Sequence, residues 1–116
     1  MNELIARLVA NVGVEREAAE KAVTIIFEFL RSEGPLDKVQ ALFDKTPGAE
    51  QFLQAHESGE SVGGLMGAGT KMMAAGLSMD QVQGVTRETI AFAREKAGDE
   101  AVGEVVGAIP GLSQFI

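Results

Sequence analysis

The sequence predicts an all-α protein, a compact helical bundle of two tandem three-helix repeats, about six helices in all, with approximate pseudo-two-fold symmetry. Three observations carry that expectation. Hydrophobic residues make up 46% of the 116-residue chain while aromatics reach only 5%, with no Trp or Tyr, a composition that favours aliphatic helix faces over sheet. Apolar positions recur at helical spacing. The chain also matches itself without a gap when displaced by 63 positions.

In that displacement Gly13 lies over Gly76, Phe29 over Phe92, Arg31 over Arg94, Val39 over Val102, Pro47-Gly48 over Pro110-Gly111, and Gln51-Phe52 over Gln114-Phe115. Many other pairs agree in character, among them Ala22/Val85, Phe27/Ile90 and Leu42/Val105. The matches fall at turns and at core-phase positions, where both copies of a folded unit need the same residue. The expected organisation is a single domain, 1–116, made of unit 1–53, a polar Gly/Ser-bearing linker 54–63, and unit 64–116. A unit of this size is marginal alone, so the two are expected to pack face to face.

The first unit opens with a helix from Asn2 to Val12, placing Leu4, Ile5, Leu8, Val9 and Val12 on one stripe, and Gly13 ends it. A second helix, Glu15 to Glu33, has a wide face of Ala19, Ala22, Val23, Ile26, Phe27, Phe29 and Leu30. Its middle, Ile25-Ile26-Phe27, is apolar nearly all round and marks the centre of the core. Gly34 suits the C-terminal cap and Pro35 the first position of the next helix. That helix carries Leu36, Val39, Leu42 and Phe43 until Pro47-Gly48 breaks it, and residues 49–53 form a closing turn that drops Phe52 into the core. In the second unit Ser78 and Gln81 form a capping box, with Leu77 and Val82 placed for a hydrophobic staple. Gly98-Asp99 separates two helices, Val102, Val105, Val106 and Ile109 form the last stripe, and Pro110-Gly111 closes it.

Composition also bounds function. A formal charge of −7 repels a phosphate backbone and an anionic membrane surface, which argues against nucleic-acid binding. The absence of Cys removes thiol chemistry and thiolate metal sites, and His56 is the single imidazole, so no metal or other cofactor is expected. No stretch reaches the ~20 apolar residues of a membrane span. An acid, Glu3, stands where a signal peptide carries base, so a cytoplasmic protein is expected.

The motifs that invite a catalytic reading have simpler explanations. Arg31 and Arg94 fall in last helical turns, where a cation complements the dipole. The run Gly64-Leu-Met-Gly-Ala-Gly-Thr-Lys71 approaches a phosphate-binding loop, but Thr70 precedes Lys71, reversing the required order, and no strand leads in. His56-Glu57 lacks the second His of a zinc-protease helix, and Gly59 interrupts it. Glu15, Glu17 and Glu20 sit where acids meet a helix N-terminus. No catalytic residue is therefore assigned, and a non-enzyme is expected.

The informative asymmetry between the units is residues 62–77. Where the first unit has an ordinary amphipathic helix, the second has Gly63, Gly64, Gly67 and Gly69, each costing about 1 kcal/mol of helix propensity relative to Ala. Leu65, Met66, Met72, Met73 and Leu77 still mark a helical stripe. One reading is close packing with Met filling gaps in the core. The other is a mobile, Met-rich surface for a partner or an apolar ligand. Leu65, Met66, Met72 and Met73 are the candidate binding residues.

The carrying pattern, Gly13-Val14 with Phe29-Leu30-Arg31 and Gly76-Leu77 with Phe92-Ala93-Arg94, resembles that of a family of small bacterial two-repeat helical proteins of unknown function. The Gly/Met-rich stretch and Pro110-Gly111-Leu112-Ser113-Gln114-Phe115 are similar to those of a related group. The resemblance implies a bacterial source and an all-α fold, and it transfers no activity, cofactor or catalytic residue. The leading functional expectation is a non-enzymatic interaction module or adaptor, binding a protein partner or self-associating. The alternative is a carrier of a lipid or other apolar ligand held between the two repeats.

Overall fold

The helix signals place the elements closely. In the structure, a computed structural model that describes residues 1–56 and 63–115, α1 spans Asn2–Val12, and Gly13 ends it in the left-handed region at φ 80°, a conformation glycine adopts without penalty. α2 spans Arg16–Glu33 and α3 Leu36–Lys45. α5 spans Gly64–Ala74, α6 Met79–Ala97 and α7 Asp99–Ala108. Ser78 and Gln81 form the full capping box. Every described element is helical, and the Cα radius of gyration is 12.6 Å, close to the about 13 Å of a compact domain this long.

One expectation about the elements needs correction. Residues 49–53 form more than a closing turn. The Ala49 amide bonds to the Thr46 carbonyl at 3.1 Å, and helix α4 runs Ala49–His56 with Ala49 and Leu53 buried one turn apart. With the short α8 (Leu112–Phe115), the described residues contain eight helices rather than about six. Of the segment 54–63, residues 54–56 continue α4 and Gly63 is the N-terminal cap of α5; residues 57–62 lie outside the described residues.

The core follows from the apolar stripes. All seven residues of the α2 face are buried, and so is the whole Thr24–Phe27 stretch, because α2 is enclosed by α1, α3, α4, α5 and α6. Val102, Val105, Val106 and Ile109 are buried as their spacing predicts. Phe52 is half-buried and meets Phe27 edge-on at 6.5 Å. Two stripe residues face solvent instead. Leu36 is 71% exposed in the first turn of α3, and Val9 is 40% exposed on α1. Pro35 stands one position earlier than expected, before α3 rather than inside it. Gly34 is needed for space, not for backbone freedom: its φ is −90°, and a Cβ there would lie 2.7 Å from Val39 Cγ2 and 2.8 Å from the Leu30 carbonyl oxygen.

α1 packs on α6 as well as α2, and α5 packs on α2 as well as α6. α2 also touches α6, and α3 touches α7. Ion pairs fasten the α1–α6 contact: Arg7 reaches Glu95 at 2.8 Å and Glu88 at 3.2 Å, and Lys96 reaches Glu3 at 3.6 Å. Gly84 lets the two helices approach, since a Cβ there would sit 3.1 Å from Val12 Cγ1.

Candidate functional site

Helix α5 carries the four candidate residues, and its geometry divides them. Residues 65, 68 and 72 share one face of the helix, while 66, 70 and 73 share a face rotated by about 100°. The inner face carries half-buried Leu65 with Ala68 and Met72, each 3% exposed. The outer face carries Met66 at 84% and Met73 at 47% exposure, with Thr70 between them donating its hydroxyl back to the Met66 carbonyl at 3.0 Å. The structure thus brings Met66 and Met73 together on the outside and Leu65 and Met72 together on the inside. Leu77, the end of the expected stripe, is buried in the turn before α6.

Beneath the inner face lies a void of about 20 Å³ lined by Ile26, Phe29, Leu30, Met72, Ile90 and their neighbours. Its lining includes one hydroxyl, Thr86 Oγ1, which already donates to the Val82 carbonyl at 2.8 Å. Beside α5, a larger open groove of about 590 Å³ runs along α2. Thr24, Ile25, Ala74 and Ala75 supply its apolar part, and Glu17, Glu20, Glu28, Lys21 and Lys71 its charged part. This groove was missed by sequence reasoning. The signal was present in the spacing of Glu17, Glu20, Thr24 and Glu28 along one face of α2, but the first two acids also fit the helix dipole.

The remaining motifs take structural places. Gly64–Lys71 lies within α5 as helix, not as the loop that a phosphate cradle of this pattern requires. The His56 ring stacks on Phe52 at 4.2 Å, and its Nδ1–H donates to the Phe52 carbonyl at 2.9 Å; Glu57 lies outside the described residues. Arg31 and Arg94 are in the last turns of α2 and α6, and the Arg31 guanidinium lies 6.0 Å from the Phe43 ring centre. Gln51 and Gln114 are exposed.

Electrostatically the site is plain. The Glu95 hydrogen bond holds the Arg7 guanidinium above its ordinary pKa; partial desolvation opposes this, and the charges of Glu95 and Glu88 reinforce it. That shift belongs to the α1–α6 contact, not to a cleft. Among the described residues no three His, Cys, Asp or Glu side chains converge as metal ligands, and no helix is long and apolar enough to cross a membrane.

No family model matches the chain, and no curated protein or solved structure matches it either.

Proposed function

We propose that this chain is a non-enzymatic helical interaction module that contacts a protein partner, in the first instance a second copy of itself, through the outer face of α5. The observation that carries the reading is Met66, 84% exposed on a helix whose other side is in the core. Exposing a large apolar side chain forgoes about 1.5–3 kcal/mol of burial. Met73 extends the same face one helical repeat further, and two flexible thioether chains adapt to an irregular partner surface. Within the proposal the fold is two copies of one unit interlocked about an approximate two-fold axis. Helices that begin at matching positions in the two halves, and the crossing of α1 to α6 and α5 to α2, support that reading.

Sedimentation velocity across a concentration series tests the contact with the variant Met66→Ser/Met73→Ser. Met72 is left intact because it is core. The proposal expects the wild-type chain to associate and the double variant to sediment as a monomer with unchanged helicity. Equal association of both would overturn self-association through this face.

The carrier alternative meets a constraint in the same structure. The void between the halves, about 20 Å³, has room for about one water molecule, far less than any lipid chain occupies. An apolar ligand held in this void therefore requires α5 to move.

A further inference from the structure

We propose that Arg87 and Arg94 of α6, with Ser113 of α8, form a binding site for a phosphoryl group carried on a small molecule. The site uses no residue of α5 and stands apart from the contact proposed for Met66 and Met73.

Position and charge motivate it. Arg87 and Arg94 stand seven residues apart in α6, which brings them to one face of the helix within about 20°. Both border a hollow of about 220 Å³ whose other lining residues are Ile90 between them, Val106 of α7 and Ser113. No carboxylate stands among those lining residues. Among the described residues neither arginine makes an ion pair or a hydrogen bond, whereas Arg7, Arg16, Lys21, Lys38 and Lys96 each reach a carboxylate. The chain holds 17 Asp and Glu against 10 Lys and Arg, so acids to neutralise the pair are plentiful, yet the fold brings none there. A cation at Arg94 suits the last turn of α6. Arg87 lies mid-helix, where the dipole gives no reason for one.

One difference between the two halves of the sequence leaves room for the hollow. The displacement by 63 positions lays Arg94 over Arg31 and Val106 over Phe43. The Arg31 guanidinium lies 6.0 Å from the Phe43 ring centre. Val106 offers no such ring, and Arg94 is exposed where Arg31 is half-buried. The chemistry then selects the ligand. Guanidinium groups present planar forks that bind an oxyanion by paired, charge-assisted hydrogen bonds, and the exposed Ser113 hydroxyl can donate to a third oxygen. Buried Ile90 and Val106 give an apolar floor for the uncharged body of the same molecule. A polyanion is disfavoured by the net charge of −7. A small anion feels mainly the two arginines, because charges beyond about 8 Å are screened at physiological salt.

Arginine Nε–Hε NMR signals of the full chain test the site, with phenyl phosphate as the probe and NaCl adjusted to hold ionic strength constant. The titration is run at about pH 7.5, where a phosphate monoester is close to doubly charged. The Arg87 and Arg94 signals are expected to shift along one saturating curve while those of Arg16 and Arg31 stay in place. Arg87→Gln and Arg94→Gln are each expected to weaken binding about tenfold, since each removes charge-assisted hydrogen bonds, and Ser113→Ala about threefold. Lys45→Gln removes an exposed cation outside the hollow and is expected to leave the affinity unchanged. Circular dichroism checks that each variant keeps its helicity. The absence of a saturating shift, or shifts of equal size at every arginine, overturns the site. Arg87→Gln and Arg94→Gln variants that bind as tightly as the wild-type chain, or no more weakly than Lys45→Gln, overturn it as well. Benzoate binding as tightly as phenyl phosphate overturns the assignment to a phosphoryl group. None of these results depends on whether Met66 and Met73 meet a partner.

Discussion

Replacing Arg7 with Met isolates the polar fastening of α1 to α6, because Met keeps the aliphatic stem and removes the charge. The guanidinium makes two carboxylate contacts, 2.8 Å to Glu95 and 3.2 Å to Glu88, and lies 5.8 Å from the centre of the Phe92 ring. Arg7 is 26% exposed, Glu88 27% and Glu95 54%, so the pairs are largely solvated and each is worth about 0.5 kcal/mol. The ring contact adds a similar amount. Loss of all three is expected to lower unfolding free energy by about 1.5 kcal/mol, or roughly 5 °C in Tm for a domain this size. With both carboxylates ionised, the raised guanidinium pKa means this stabilisation is present below the unfolded-state value and fades only as pH rises through the folded-state value, beyond the working range. Urea unfolding at 25 °C in low salt and again in 1 M NaCl measures the effect. At high salt the screening length shrinks to about 3 Å, so the gap between wild type and variant should narrow to about half. A gap under ~0.3 kcal/mol, or one indifferent to salt, would refute the reasoning, since surface pairs must respond to screening.

Three further substitutions test the packing. Gly34→Ala is expected to destabilise by about 2 kcal/mol or more in urea melts, because the new Cβ meets the Leu30 backbone oxygen, which cannot yield as a side chain can; a neutral result would show that the α2–α3 corner relaxes. Thr89→Val is expected to stabilise by about 1 kcal/mol, because the Thr89 hydroxyl belongs to a residue 2% exposed and has no hydrogen-bond partner. A loss of stability there would reveal a partner for the hydroxyl. Met72→Ser is expected to cost at least about 2 kcal/mol, while Met66→Ser stays within about 0.5 kcal/mol; similar values for the two would contradict the inner and outer assignment of α5.

The long helices were readable because each carried both a period and a boundary. α1 had Gly13 behind five spaced aliphatic residues, and α6 had Ser78, Gln81 and Gly98 at its ends. α4 was harder to see because Pro47-Gly48 reads as a stop. The chain instead turns there and restarts, with Ala49 and Leu53 supplying a stripe too short to register as periodic. Leu36 and Val9 fit their stripes by spacing but lie at the stripe margins, where burial depends on what the neighbouring element covers. The orientation of the candidate residues was hard to read for another reason. Between Gly64 and Ala74 the chain is Gly, Ala, Leu and Met nearly all round, with Thr70 and Lys71 the only polar residues. Such a sequence has almost no polar phase to fix which side faces inward. Leu65, Met66, Met72 and Met73 therefore read as one stripe, when helix geometry divides them between core and surface. The α2–α5 groove joins residues far apart in the chain, Glu17 and Ala75 among them, so the spacing of Glu17, Glu20, Thr24 and Glu28 along α2 marks only one of its walls.

The central claim is that the outer face of α5 meets another protein chain. Photo-methionine incorporated in the native host, followed by irradiation and mapping of the cross-linked peptides, tests it most directly. The account predicts intermolecular cross-links from positions 66 and 73, to a second copy or to one recurring partner, with position 72 linking only within its own chain. Cross-links from 66 and 73 that never leave the chain would contradict it.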